Sequence, residues 1–404
     1  MAESQGETKM GNLAKWRIAA ALLGFAIVGI PAAQAADTVE IDVILALTGP
    51  GAFLGTSEQQ SMQLIEKSVN ANGGIHGRPL HFNFYDDQTT PQVSVQLANE
   101  VIAKHPAVLI GSSLVATCSA MAPLMQNGPV MYCLSPGIYP AAGSYVFTNN
   151  VSTHEMTTAL IRFFRSKGWT RLAVTTSTDA TGQEAETGID GFLTQPENRD
   201  IKLVEKNKFN TTDISVAAQL ERIKDAGAQA YIPWTTGASV ATILRGMVQV
   251  GLDIPTGVSN GNMTYAQMNQ YADFLPKQLY IPSSLWPAGR EGRIPVPAAV
   301  AAKQKEFYAD FAAAGISPDG ASVLGWDPVV LVIDALQKLG PDISATQLRD
   351  YLIHLKGAAG VNGIYDFEKM PQRGLGLDDT VVTRWSPGKK IWEVVSTPGG
   401  APLN

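Results

Sequence analysis

The sequence is poor in residues that hold metals, with two cysteines and five histidines in 404 positions. No C-x-x-C, H-E-x-x-H or EF-hand spacing occurs, so a zinc or calcium site has no ligand set. Neither a metal nor an organic cofactor is expected. Charge is thin as well. Only 16% of residues are charged, against roughly 25% in ordinary globular chains. The net charge is −6, and lysines and arginines never cluster. Sequence-independent nucleic-acid binding therefore has no electrostatic basis. With 45% hydrophobic residues, the chain reads as neither disordered nor coiled coil. The 38 glycines and 24 prolines show no G-X-Y period, which excludes collagen. Outside 18–30, no stretch reads as the ~20-residue apolar span that crosses a bilayer. At about 150 residues per domain, the length allows two domains or three.

What is present begins with a leader. Lys15 and Arg17 precede the apolar run 18–30, followed by Pro31 and Ala33-Gln34-Ala35. This order of basic, apolar and small residues is that of a secretory signal peptide covering 1–35 and cleaved near Ala35. Glu3 and Glu7 sit poorly in such a basic region, so Met1 and Met10 both stand as starts. An even cysteine count in an exported chain points to one disulfide, Cys118–Cys133, with two buried thiols as the alternative.

Beyond the leader, apolar strands alternate with helical spacing. Strands are expected at 39–46, 80–85, 107–110 and 130–134, with helices between them. The alternation restarts at Ser152: strands at 171–176, 203–209, 230–234 and 256–258, and helices at 156–164, 184–192, 214–226 and 240–250. Such alternation means βαβ units and parallel sheets. Two series in tandem predict an α/β protein with two similar lobes. After Leu279, helices are expected at 300–313, 328–339 and 345–355. A small antiparallel region of late strands follows at 365–367, 381–385 and 391–395.

An ordered set of short segments carries a resemblance. These are Leu47-Thr48-Gly49-Pro50, Gly55, the run from Val69 through Asn72-Gly73-Gly74-Ile75-His76-Gly77-Arg78, Tyr85-Asp86-Asp87, Leu109-Ile110-Gly111, Leu134-Ser135-Pro136, Ile243-Leu244-Arg245 with Gly251-Leu252, and Gly325-Trp326-Asp327. The chain resembles, over essentially all its length after the leader, the periplasmic solute-binding proteins of ABC transporters in the leucine/isoleucine/valine-binding group. The resemblance implies the type I periplasmic binding protein fold: two Rossmann-like lobes with parallel sheets, joined by a three-crossover hinge. It implies lobe one at 37–152 plus 283–362 and lobe two at 153–282 plus 363–404. It also implies a periplasmic monomer that closes on a small molecule and meets an ABC permease at the inner membrane.

Physics places the ligand at the carboxyl ends of the strands. The loops there, 48–56, 112–117, 135–139, 177–182, 234–237 and 259–262, are rich in Gly, Ser, Thr and Asn. Their N–H and hydroxyl groups suit an anion without a basic residue. By resemblance, Ser112 or Ser113, Leu114 and Thr117 follow the Ile-Gly strand of the first lobe, with Gly137 and Tyr139 after the next and Leu54 completing the wall. Amino-acid-binding relatives carry a Glu facing the ligand ammonium in the loop after the Thr256 strand; here Asn260 stands there. Thr181 and Thr236 stand near the places of two tyrosines. An amide cannot offset a buried ammonium, although Asp179 leaves one carboxylate in reach. A carboxylate ligand without an obligatory amine is expected. Tyr139, Trp234 and Trp326 offer faces for an aromatic acid. A branched-chain amino acid or an amide, bound for transport or for sensing, is the alternative.

Catalysis is the weaker reading. Gly257-Val258-Ser259-Asn260-Gly261 matches the G-x-S-x-G elbow of serine hydrolases. Only His354 follows it, in a segment that reads as helix. Gly49-Pro50-Gly51 lacks the lysine of a P-loop. Asp86-Asp87 and His76 read as turn residues. No enzyme is expected.

Overall fold

The computed structural model describes residues 37–403. The leader expected over 1–35 lies outside the described residues. The first series runs β1 (Val39–Leu45), α1 (Ala52–Ala71), β2 (Leu80–Asp86), α2 (Pro91–Ile102), β3 (Val108–Ile110), α3 (Val115–Met121), β4 (Val130–Cys133) and β5 (Val146–Thr148). Its sheet has the order β2-β1-β3-β4-β5 and is parallel throughout. β1 is buried along almost its whole length, as a parallel strand covered on both faces must be. β5 was not among the expected strands, because three residues are too few to show a period.

The second series runs α4 (Thr153–Ser166), β6 (Arg171–Ser177), α5 (Ala180–Leu193), β7 (Lys202–Phe209), α6 (Ala217–Asp225), β8 (Ala230–Trp234), α7 (Val240–Val250), β9 (Thr256–Gly257), α8 (Tyr265–Gln270) and β10 (Leu279–Ser284). α6 starts later than expected. A turn closed by Asp213 on the Asn210 N–H occupies the preceding residues, and Ile214 is 99% exposed. Then come α9 (Ala288–Glu291), α10 (Ala298–Ala313), α11 (Gly320–Leu339), α12 (Ala345–Ile353), β11 (Lys356–Ala359), β12 (Ile364–Asp366), β13 (Thr380–Ser386) and β14 (Ile391–Val394). The second sheet has the order β14-β13-β10-β9-β8-β6-β7. β13 and β14 therefore extend this sheet as an antiparallel edge and form no separate region, a common ending for parallel sheets.

The chain crosses between the lobes three times. It leaves the first sheet after β5 and returns after β10, when α11 packs on α1 and α12 on β4. It then ends in β13 and β14. The crossings are tied together by Asp327, fully buried in α11. Its carboxylate accepts from the Val361 and Asn362 N–H groups at 2.9 Å each, from the Asn362 amide, and from the Tyr365 hydroxyl. Asn362 in turn accepts from Ser284 at the end of β10. α11 is long and apolar enough to cross a membrane, but 83% of that stretch is buried in the fold.

Candidate functional site

The loops at the carboxyl ends of both sheets face one another across a cleft. Each lobe brings a helix tightly onto the end of the strand before it at a glycine. A Cβ on Gly55 would sit 2.1 Å from the Ala46 carbonyl oxygen, and one on Gly182 would sit 1.9 Å from that of Ser177. On one edge of the cleft, the Ala238 N–H of lobe two donates to the Pro50 carbonyl of lobe one at 3.3 Å. Gly237 permits this approach: its φ is +88°, and a Cβ would meet the Pro50 oxygen at 2.6 Å. On another edge, the Tyr139 ring stacks on His154 with centroids 4.7 Å apart.

Between these edges lies a central cavity of about 20 Å³, room for about one water. Two larger chambers share this cavity's walls. One of about 650 Å³ continues past Val115 and Gly137 to Ile138, Tyr139 and Val146. The other, of about 480 Å³, continues past Leu114, Thr181 and Thr236 to Asp179 and Thr117.

The central cavity brings together most of the expected residues: Leu54, Ser113, Leu114, Gly137, Thr181, Trp234, Thr236 and Asn260. None of its lining side chains is ionisable. Ser112 is fully buried beside it, and Thr117 and Asp179 line the second chamber instead. Several expectations need correction. Trp326 does not reach the cleft. Its ring lies edge-on against Phe307 at 4.9 Å and packs on Phe311, filling the core beside the hinge. The Gly137 N–H, expected to hold a carboxylate, donates to the Ser135 hydroxyl at 3.3 Å. Tyr139 is 48% exposed and sits on the rim. Asp179 caps α5, its Oδ1 accepting from the Gly182 N–H and the Ser177 hydroxyl.

The elbow also reads differently in three dimensions. The Ser259 hydroxyl is fully buried and bonded to the Thr235 carbonyl, the Thr236 hydroxyl and the Asn262 amide. His354 lies at the end of α12, bonded through Nδ1 to the Asp350 carbonyl. Asp86 accepts from the Leu47 and Thr48 N–H groups after β1 and from Gln88 in its own turn, and Asp87 accepts from the Thr89 N–H. Cys118 and Cys133 are paired, their Cα atoms 6.1 Å apart, under the Ser112 loop.

Sequence reasoning put Ser135, Ser259 and Gly261 in ligand loops without naming them as site residues, and it missed Thr153 and Leu324 on the cavity wall. It also missed Glu58, buried behind Ser113. A signal for Glu58 was present: Leu54, Glu58, Ser61, Met62 and Ile65 fall at helical spacing on the buried face of α1.

Two α/β lobes joined by three crossings place a polar cavity between their strand-end loops. A family model described as periplasmic binding protein matches residues 38–390. The chain belongs to the type I periplasmic binding proteins, in the leucine/isoleucine/valine-binding family. It is 23% identical over 262 residues to a leucine-, isoleucine-, valine-, threonine- and alanine-binding protein of Pseudomonas aeruginosa, covering 63% of this chain and 68% of the relative. Among solved structures it is similar to an ABC-transporter solute-binding protein of R. palustris in complex with benzoate. That match has a TM-score of 0.75 and 18% identity, over 91% of this chain and 97% of the other. It is also similar to a branched-chain amino acid transporter substrate-binding protein of Streptococcus pneumoniae in complex with isoleucine. There the TM-score is 0.73 and the identity 19%, over 89% and 99% of the chains.

Proposed function

We propose that this protein is the exported, periplasmic solute-binding component of an ABC importer. It captures a small carboxylate by hinge closure, without catalysis, and presents the closed form to a permease. The moving bodies are the lobes 37–152 plus 283–362 and 153–282 plus 363–404. One observation carries the ligand class: the central cavity offers hydroxyl and amide groups but no ionisable side chain. A buried ammonium there would stand uncompensated, whereas a carboxylate needs only donors. Ser113, Thr181 and Asn260 supply them, and Trp234 supplies an aromatic face. The apolar wall of Val115, Ile138 and Val146 in the adjoining chamber suits an aromatic or aliphatic body. The benzoate complex of the R. palustris relative supports the same class.

A second reading, an amino acid or amide, is favoured by Asp179. It lies on the wall of the other chamber, and its described hydrogen bonds engage Oδ1. A thermal-shift panel of benzoate, 4-hydroxycinnamate, leucine and short amides separates the two. A ligand bound only by the folded state adds about 2.7 kcal/mol at a hundredfold excess over Kd. Shifts with the aromatic acids are expected. A shift with leucine and none with either acid would overturn the carboxylate reading in favour of the second.

A further inference from the structure

Glu58 takes no part in anything described so far. Its side chain is fully buried, and neither carboxyl oxygen makes a well-formed hydrogen bond among the described residues. The polar group in contact with it is the Ser113 hydroxyl, which also lacks a well-formed partner. Ser113 in turn lines the central cavity. The charged groups facing the carboxyl are Asp87, from the turn after β2, and Asp319, the N-cap of α11. Both are acidic. α11 closes over Glu58 with Gly325, where a Cβ would stand 3.0 Å from the Glu58 carbonyl oxygen. Burial beside like charges favours the neutral acid; the Glu58 carboxyl is pushed up to about 8, chiefly by desolvation.

A neutral carboxylic acid has one O–H to donate, while a carboxylate only accepts. The difference decides which way the Ser113 hydroxyl points. Protonated Glu58 donates to Ser113 Oγ, leaving the serine proton for the cavity. Ionised Glu58 accepts a hydrogen bond from the serine hydroxyl, whose oxygen then turns a lone pair toward the cavity. We propose that Glu58, as the neutral acid, is a positioning residue that holds the Ser113 hydroxyl as a donor to the ligand carboxylate, so that anion capture weakens in alkali. This rests on the carboxylate reading above.

The test is calorimetric titration with benzoate, which has no group ionising between pH 6 and about 9.5. Wild type and Glu58→Gln are compared. Glutamine keeps an N–H for Ser113 and cannot ionise. Wild-type affinity should hold to near pH 8 and then fall by about tenfold per pH unit. Glu58→Gln should bind within about threefold of wild type at neutral pH and stay flat. An equal alkaline fall in both proteins, or none in wild type, overturns the role of Glu58 and leaves the carboxylate reading standing. If neither benzoate nor 4-hydroxycinnamate binds wild type, the carboxylate reading falls and this inference with it. Should Glu58→Gln not fold, infrared spectra of wild type labelled with carbon-13 glutamate decide. A protonated carboxyl band at neutral pH that vanishes in alkali supports the role; its absence at neutral pH overturns it.

Discussion

On the second-lobe wall of the cleft, the polar groups answer one another. Ser259 donates to the Thr235 carbonyl, which also accepts from the Asn262 amide; Gln267 ties Asn262 to the Gly237 carbonyl, and Thr236 shares a proton with Ser259. On the first-lobe wall, the Ser113 hydroxyl meets the Glu58 carboxyl and makes no full hydrogen bond among the described residues. A connected polar network is rigid and specifies one geometry. A hydroxyl left over on a buried wall awaits a partner. On the proposed function, the second lobe therefore brings a fixed shape to the cleft, and the first brings the donor that a ligand completes.

The largest effect should come from breaking the shape. Trp234 ends β8, is 1% exposed, and lines the central cavity. Trp234→Ala should destabilise the fold by about 3–5 kcal/mol, read from urea midpoints. A stable Trp234→Ala protein with normal ligand affinity would mean the second wall is not a rigid template.

A pair of serine substitutions sharpens the comparison. Ser113→Ala removes a hydrogen bond to a charged ligand group, worth about 1.5–3 kcal/mol, or roughly tenfold to a hundredfold in carboxylate affinity. Its folding stability should change little. Ser259→Ala breaks bonds internal to the second wall. It should cost about 1 kcal/mol of stability and shift affinity less than Ser113→Ala does. Titration and urea melts on both variants give the four numbers. The reverse pattern would exchange the roles of the two walls.

The contrast explains what the sequence made legible. β1, with Val39, Ile41, Val43 and Leu45 all buried, declares itself by its apolar run. So do the two α/β series, because periodicity records burial face by face. β5, three residues long, carries no period and is held by its neighbours in the sheet. Site residues at strand ends were readable because topology fixes where those ends lie. What each polar group does there was not. Asp179, Gly137 and Ser259 have the chemistry to meet a ligand, yet each is engaged by a nearby partner, Gly182, Ser135 and Thr235 respectively. Trp326 has the right chemistry in the wrong place, because its turn of α11 faces Phe307. Pairing of this kind depends on side-chain geometry, which spacing along the chain does not record.

The smallest predicted effect lies where the two walls meet at the rim. Tyr139, on the first lobe, stacks on His154, whose N–H donates to the phenol oxygen at 3.3 Å. The Arg373 guanidinium stands 5.2 Å from the same ring centroid, and His154 Nε2 meets Glu184 at 2.5 Å. Burial, and then the Glu184 charge, hold the phenol above its usual range, so it stays neutral at any pH of interest. Tyr139→Phe keeps the ring contacts and loses one long hydrogen bond. It should cost about 0.5 kcal/mol, roughly a twofold faster ligand dissociation in stopped flow. Tyr139→Ala removes ring, stack and cation contact together, about 1–2 kcal/mol at a half-exposed site, and should speed dissociation about tenfold. These losses should appear in dissociation rather than association, because on the proposed hinge closure the ring meets His154 in the closed form. Unchanged dissociation in Tyr139→Ala would leave closure to the Pro50–Ala238 edge and the ligand itself.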